Sequence, residues 1–157
     1  MGATSRGINM TRRTVHDQVN DAKALIEEID VAQLRAELDA GSCMLIDIRD
    51  IRERYELGVI PGSVSAPRGM LEFWFDPESP YHQDRYQPDR RYVLHCASGW
   101  RSALAAAALV DIGYENVAHL EPGFSGWVDS GADVDDIKAT SKWVKRADLE
   151  TQTGRTS

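Results

Sequence analysis

Cysteine and long apolar runs are both scarce in this sequence, and the only cysteines are Cys43 and Cys96. No stretch reaches the roughly 18 apolar residues that a membrane-spanning helix requires. Residues 1–10 lack the apolar segment of a secretory signal. A domain of this size needs no disulfide, so we expect both thiols to be free in a reducing compartment. These absences predict a cytoplasmic protein that does not cross a membrane.

Basic residues are in the minority, with 18 lysines and arginines against 25 aspartates and glutamates, and the formal net charge is −7. Proteins that bind nucleic acid neutralise phosphates with clustered lysine and arginine, and this chain has no such cluster. The charge therefore predicts no nucleic-acid partner. With 42% hydrophobic residues, 27% charged residues and no internal repeat, the 157-residue chain fits one globular domain.

Apolar periodicity predicts strands and helices that alternate through most of the chain. Alternation of this kind favours a parallel sheet with helices packed on both of its faces. We therefore predict an α/β fold with a five-stranded parallel sheet and an additional N-terminal helix. The predicted strands are 25–29, 44–48, 63–66, 92–94 and 116–120, and the predicted helices are 14–24, a segment from 31 that stops at Gly41, 49–57, a segment from 70, 102–112 and 124–129.

The two ends of the chain differ from its middle in composition. Residues 1–13 are polar, basic and contain glycine, which predicts a flexible arm. Residues 14–135 carry the alternating pattern and are predicted to form a single domain. Residues 136–157 are mostly polar with mixed charge, which predicts a C-terminal tail that is partly disordered.

The strongest candidate for chemistry is the stretch 92–113, in which an apolar strand leads through a cysteine-containing loop into an alanine-rich helix. Cys96 follows the strand directly. The N-terminus of the following helix carries partial positive charge and Arg101 adds a full one, so both favour a thiolate at Cys96. The pattern predicts a nucleophile or an anion site. Cys43 has no comparable neighbours and is predicted to be part of the core.

Five short motifs follow one another in a fixed order along the chain. They are Leu-Ile-Asp-Ile-Arg at 45–49, Gly-Val-Ile-Pro-Gly-Ser at 58–63, Cys-x-x-Gly-x-Arg-Ser at 96–102, Gly-Tyr-Glu-Asn-Val at 113–117 and Leu-Glu-Pro-Gly-Phe-x-Gly-Trp at 120–127. Together they resemble the rhodanese-like sulfurtransferase domain over residues 26–134. The resemblance implies a five-stranded parallel sheet flanked by helices, in agreement with the fold predicted from periodicity.

The resemblance implies a role for each residue of the cysteine motif and for three charged residues earlier in the chain. Cys96 would accept a sulfane sulfur and become a persulfide. The backbone amides of Ala97, Ser98, Gly99, Trp100 and Arg101 would hold the bound sulfur or an oxyanion, and Ser102 would support the loop or cap the helix. Asp47, Arg49 and Glu53 would brace the structure beneath or beside this loop. Arg68, which precedes a predicted helix, is a further candidate for the same pocket.

The implied reaction is a double displacement by a sulfurtransferase. The Cys96 thiolate would take sulfur from a donor such as thiosulfate, a persulfide or a polysulfide, and a thiol or cyanide acceptor would remove it. This chemistry requires no metal and no organic cofactor. Trp100 is bulky for the mouth of a small-anion site, which leaves open whether it limits access or stacks against a larger donor.

Two other functions also require Cys96. The sequence from His95 to Ser102 is similar to the signature of cysteine-dependent phosphatases and arsenate reductases, but only four residues separate Cys96 from Arg101, one fewer than in those enzymes. A shorter loop makes a smaller ring of amides, which suits a single sulfur better than a tetrahedral oxyanion. The other alternative is a persulfide carrier that delivers sulfur to an acceptor protein, with the aromatic segment 73–75 available for docking.

Overall fold

A computed structural model of the chain describes residues 11–139. The predicted arm at 1–13 and the predicted tail at 136–157 lie largely outside the described residues, so both of them, and the domain bounds 14–135, stay predictions. The strands are β1 (Glu27–Ile29), β2 (Met44–Asp47), β3 (Val64–Ser65), β4 (Tyr92–His95) and β5 (Val117–Leu120). The helices are α1 (Val15–Leu25), α2 (Val31–Ala40), α3 (Ile51–Leu57), α4 (Leu71–Phe75, after a 3-10 turn at Arg68–Met70), α5 (Trp100–Asp111) and α6 (Gly123–Asp129).

The five strands form one sheet in the order β1-β5-β4-β2-β3, and every pair of neighbours is parallel. The register places Leu94 of the central strand β4 beside Ile46 of β2 and His119 of β5. The central strands β2 and β4 are nearly continuous apolar runs, which suit strands that are buried on both faces. The predicted α/β fold with a five-stranded parallel sheet is confirmed.

Helices cover both faces of the sheet. Leu94 belongs to the core on one face, together with Leu109 of α5. Val93, the preceding residue, points to the opposite face and belongs to a second core with Leu34 of α2 and Trp127 of α6. Successive side chains of a strand alternate between the two faces, so one short strand contributes to both cores. No helix in the described part of the chain is long and apolar enough to cross a membrane.

The additional N-terminal helix α1 packs on the outside of α5. Thr14 caps it, because the Thr14 hydroxyl accepts a hydrogen bond from the Asp17 backbone and the Asp17 carboxylate accepts one from the Thr14 backbone. Val19 and Ala22 on its buried face contact the core around Ala103 of α5. The predicted N-terminal helix is therefore confirmed, and it supports the helix that follows Cys96.

Three predicted element boundaries are wrong by two residues each. Strand β1 begins at Glu27 rather than at Leu25, because α1 continues through Leu25. Helix α3 begins at Ile51 rather than at Arg49, because Asp50 caps it and the Arg49 side chain is buried. Helix α5 begins at Trp100 rather than at Ser102. The last difference matters for the cysteine motif, since it shortens the loop after Cys96.

Candidate active site

Cys96 directly follows the central strand β4, and its side chain is almost fully buried, with 1% of its surface exposed. The backbone N–H of Gly99 donates to Cys96 Sγ over 3.2 Å, and the backbone N–H of Ser102 donates over 3.4 Å. Gly99 is the N-cap of α5, so the sulfur lies at the N-terminus of a twelve-residue helix. Both the N–H groups and the helix dipole favour negative charge at this position.

The residues predicted as one loop belong to two elements. Ala97, Ser98 and Gly99 connect β4 to α5, whereas Trp100 and Arg101 already form the first turn of the helix. Ser102, in the same turn, is fully buried and faces the sulfur. It does not cap the helix, because Gly99 holds the N-cap position without a side-chain cap.

The N-terminus of α6 holds the other side of this loop. The backbone N–H of Phe124 donates to the Cys96 carbonyl over 2.8 Å, and that of Ser125 donates to the Ala97 carbonyl over 3.0 Å. These contacts fix the carbonyls of Cys96 and Ala97 against α6, while the N–H groups that donate to the sulfur are those of Gly99 and Ser102. They require Gly123, which has φ 64 and whose missing Cβ would lie 2.4 Å from the Ala97 carbonyl oxygen.

Glu53 of α3 pairs with Arg101 of α5. Both guanidinium nitrogens lie 2.9 Å from the two carboxylate oxygens, which is a bidentate ion pair. The hydrogen bond from Arg101 lowers the pKa of Glu53 against the opposing effect of burial, and the same bond raises the pKa of Arg101. Glu53, predicted as a brace, thus lies beside the loop and anchors the positive charge nearest to it.

Asp47, at the end of β2, is the centre of a buried charge cluster. Arg49 donates to it from Nε over 3.0 Å and from Nη2 over 2.9 Å, and Arg54 donates from Nη1 over 2.9 Å. Burial acts to raise the pKa of Asp47, but the hydrogen bonds from Arg49 and the surrounding positive charge outweigh it and hold this pKa below its ordinary value. The Arg49 guanidinium lies 4.0 Å over the ring of Phe124, so the cluster supports the residue that anchors the Cys96 carbonyl.

His95 connects the same cluster to the loop. Its Nδ1 lies 3.1 Å from the Cys96 carbonyl oxygen, and its Nε2 lies 3.6 Å from Asp47 Oδ2. Burial lowers the pKa of His95, so the ring is neutral and Nδ1 donates to the carbonyl. Neither Arg54 nor this role of His95 was predicted. Arg54 could have been selected from the sequence, because it lies one turn into a capped helix that follows the aspartate at the end of an apolar strand.

A second buried histidine, His119, was not predicted from the sequence and lies on the side of the sheet that carries the thiol. Cys96 Sγ is 3.4 Å from Ser102 Oγ, Ser102 Oγ is 2.9 Å from His119 Nδ1, and His119 Nε2 is 2.8 Å from Glu28 Oε2. His119 stands in β5 between apolar residues, where a polar side chain must find a partner. That position is the signal that could have identified it.

Three other candidates lie apart from this hydrogen-bonded chain. Arg68, half-buried in its 3-10 turn, forms an ion pair with Glu72, so its predicted place in the pocket stays a prediction. Trp100 is 47% exposed and its ring meets His16 of α1 edge-on, with centroids 4.8 Å apart. Burial raises the pKa of Cys43 to about 11, which makes that thiol a poor nucleophile at neutral pH.

Among residues 11–139, no group of three or more histidine, cysteine or acidic side chains is arranged to hold a metal ion.

A parallel α/β sheet whose central strand delivers a cysteine to the N-terminus of the next helix defines a class of cysteine-centred domains. The comparison with protein families narrows this class, because the model of the Rhodanese-like domain matches residues 30–130. The chain therefore belongs to the rhodanese-like family, whose members include sulfurtransferases.

Individual relatives agree with this assignment. A sulfurtransferase from Allochromatium vinosum is 32% identical over 108 residues, covering 68% of this chain and 92% of the relative. The thiosulfate sulfurtransferase/rhodanese-like domain-containing protein 3 of Mus musculus is 30% identical over 101 residues, covering 61% of this chain and 64% of the relative. A solved structure from Rhodopseudomonas palustris, described as a protein of unknown function and possible tyrosine phosphatase, is 43% identical with a TM-score of 0.75, covering 78% of this chain and 95% of that one.

Proposed function

We propose that the protein is a sulfurtransferase that carries one sulfane sulfur on Cys96 as a persulfide, taking it from thiosulfate or a related donor and passing it to a thiol or cyanide. One observation carries the proposal: the Cys96 sulfur accepts hydrogen bonds from the backbone N–H groups of Gly99 and Ser102 at the start of α5. These groups favour the thiolate, which is the form of cysteine that attacks sulfur.

The reaction proceeds in two displacements. The Cys96 thiolate attacks the outer sulfur of thiosulfate, the new S–S bond forms, and the S–S bond of the donor breaks so that its electron pair leaves with sulfite. The acceptor thiolate or cyanide then attacks the outer sulfur of the persulfide, and Cys96 leaves as a thiolate. In both steps the amides at the helix N-terminus stabilise the charge on Cys96 without rearrangement.

The charges around the thiol suit an anionic donor. Arg101 is exposed at the first turn of α5, and Glu53 holds its guanidinium in place. In the buried cluster, the single carboxylate of Asp47 pairs with both Arg49 and Arg54, so these three groups carry one positive charge in excess. The Glu53 carboxylate offsets part of the charge of Arg101, so an anionic donor meets the helix N-terminus, the Arg101 guanidinium and the excess positive charge of the buried cluster together.

The phosphatase alternative has support from the description of the Rhodopseudomonas palustris relative as a possible tyrosine phosphatase. Two features favour sulfur transfer over it. Only four residues separate Cys96 from Arg101. Both terminal nitrogens of Arg101 already donate to Glu53, so a phosphate would have to compete with that carboxylate for a bidentate contact. The persulfide-carrier alternative differs only in the acceptor, which would be a protein.

Intact mass spectrometry tests the proposal directly. Incubation with thiosulfate should add the mass of one sulfur atom, and cyanide or a thiol should remove it. Cys96→Ser should abolish the adduct, while Cys43→Ser, the matched control, should retain it. An adduct that persists in Cys96→Ser would reject the proposal. Cys96-dependent hydrolysis of an aryl phosphate without any sulfur adduct would favour the phosphatase instead.

A further inference from the structure

We propose that His119 accepts the proton of the Cys96 thiol through the hydroxyl of Ser102, while Glu28 holds the imidazole ring in place. The inference rests on the proposed function in one respect only, that Cys96 reacts as a thiolate. His119 is then a positioning residue, since it acts on the sulfur through Ser102 and does not touch the donor.

Four side chains from four parts of the fold form a continuous chain of hydrogen bonds. Cys96 follows β4, Ser102 belongs to the first turn of α5, His119 lies in β5 and Glu28 lies in β1. The register pairs Glu28 directly with His119. The successive distances from sulfur to carboxylate are 3.4, 2.9 and 2.8 Å. The first three side chains are almost fully buried, so solvent competes little for these hydrogen bonds.

The direction of each hydrogen bond follows from the two ends of the chain. The Glu28 carboxylate is an acceptor, so His119 Nε2 carries a proton and donates it. Nδ1 is then an acceptor, and the Ser102 hydroxyl donates to it. A hydroxyl has one proton, so its oxygen can only accept from the thiol, which donates S–H to it. The whole chain is therefore aligned to move a proton away from sulfur.

Proton transfer along this chain creates the thiolate without exchange with solvent. The S–H bond of Cys96 breaks as its proton passes to Ser102 Oγ, and the original hydroxyl proton passes to His119 Nδ1. The products are a thiolate and an imidazolium, and the hydroxyl of Ser102 now donates to the sulfur. The thiolate gains this third donor in addition to the two backbone amides, and Glu28 faces the imidazolium.

The surroundings of His119 permit both of its charge states. Burial lowers the pKa of His119, against the opposing contact with Glu28, so the ring is neutral near pH 7 and able to accept a proton. Three charged groups face it: Glu28 from β1, Glu121 after β5, and Lys23 from α1. Lys23 Nζ lies 3.7 Å from the Glu28 carboxylate and 3.9 Å from that of Glu121. Two carboxylates against one ammonium offset part of the cost of burying a transient imidazolium.

The test compares Cys96 reactivity at two pH values, using iodoacetamide on the full chain in a Cys43→Ser background. In His119→Asn, the amide oxygen can replace Nδ1 as the acceptor for Ser102, but it cannot take a proton. We expect alkylation near pH 6 to slow by about tenfold or more relative to the parent, since loss of general-base assistance costs at least this much. Near pH 9, where hydroxide is about 1000 times more abundant than near pH 6 and assistance from His119 matters less, the two rates should converge. Equal slowing at both pH values would indicate a structural role and overturn the inference.

Three further variants and a control sharpen this comparison. Ser102→Ala should give the same pH-dependent loss, and Ser102→Ala combined with His119→Asn should lose no more than either alone, because both interrupt one chain. Glu28→Gln keeps the size of the side chain and should give a smaller loss of the same kind. His82→Asn removes a histidine outside this chain and should leave both rates unchanged. Additive losses would overturn the inference.

Two spectroscopic measurements do not depend on access to the buried sulfur. Ultraviolet absorbance of the thiolate should appear at higher pH in His119→Asn than in the parent. Nitrogen chemical shifts of the His119 ring should show the tautomer protonated at Nε2, and a ring protonated at Nδ1 would overturn the inference. Iodoacetamide is not a sulfur donor, so these results stand whether or not thiosulfate loads Cys96. If thiosulfate adds no sulfur but the pH dependence of alkylation is as expected, the proposed function would be rejected and the role of His119 would stand.

Discussion

Glu53 of α3 and Arg101 of α5 are joined by two hydrogen bonds of 2.9 Å, which ties the helix after β2 to the helix after Cys96. The pair is partly exposed, so its contribution to stability is small. Its effect on the site is larger, because it fixes where a positive charge stands relative to an incoming donor. A substitution in this pair should therefore change where the Arg101 charge lies and should change the free energy of unfolding only slightly.

Replacing Arg101 should slow the capture of anionic donors. We expect Arg101→Ala to lower the rate of sulfur loading from thiosulfate by about tenfold, since a full charge near the site steers an anion toward it. Arg101→Lys keeps the charge but cannot form the bidentate pair, and should be intermediate. The measurement is the loading rate by intact mass at low and high salt. Loading by Arg101→Ala at the wild-type rate would contradict this electrostatic role.

Replacing Asp47 should destabilise the whole domain. Asp47→Asn removes the carboxylate that compensates Arg49 and Arg54, and breaking a buried pair in this way costs about 3–5 kcal/mol. Urea denaturation measures the free energy of unfolding. Asp21→Asn, which removes an exposed carboxylate of α1, is the matched control and should leave this free energy almost unchanged. Equal stabilities of the wild type and Asp47→Asn would show that the cluster does not support the fold.

The same cluster predicts how stability depends on pH. The pKa of Asp47 is lowered in the folded protein, so its contribution is complete above the unfolded pKa of about 3.9 and is lost as pH falls through the lower folded value. The difference in unfolding free energy between the wild type and Asp47→Asn should therefore narrow below about pH 4. If the difference in unfolding free energy stayed constant below about pH 4, the stabilisation would come from a group other than Asp47.

Replacing Gly123 should disturb the loop after Cys96. Gly123 and Gly41 have nearly the same φ, 64 and 62, but only at Gly123 would a Cβ collide with another backbone segment. Gly41→Ala therefore introduces the backbone strain alone. Gly123→Ala adds a displacement of the Ala97 carbonyl, and a shift of about 1 Å at a reacting group can reduce a rate about 100-fold. Similar sulfur loading by the two variants would contradict the proposed anchoring by α6.

Local patterns in the sequence were sufficient to predict the sheet and to identify the loop that contains Cys96. β2 and β4 are nearly continuous apolar runs, and the alanine-rich segment of α5 has the composition of a helix, so periodicity identified all three. Cys96 was identifiable because the groups acting on it, Gly99 and Ser102, lie within six residues of it.

The remaining parts of the site depend on contacts between distant residues. His119 and Glu28 are 91 positions apart, and strand pairing alone brings them together. Arg49 was included in the helix predicted over 49–57, but it precedes that helix and is buried, because its guanidinium pairs with the Asp47 carboxylate. The cytoplasmic location and the identity of donor and acceptor stay predictions.

Strand β1 lies near the start of the chain, but at the edge of the sheet it pairs with β5, which is the last strand in the sequence. During synthesis, Glu28 emerges from the ribosome long before His119, and Cys96 and Ser102 also precede it. The hydrogen bonds from sulfur to carboxylate therefore remain incomplete until β5 has emerged and the N-terminal strand has docked beside it. Pairing of two strands that lie so far apart in the sequence is slow compared with helix formation. Full reactivity of Cys96 would thus mark completion of the fold, and a nascent or truncated chain without β5 would lack it.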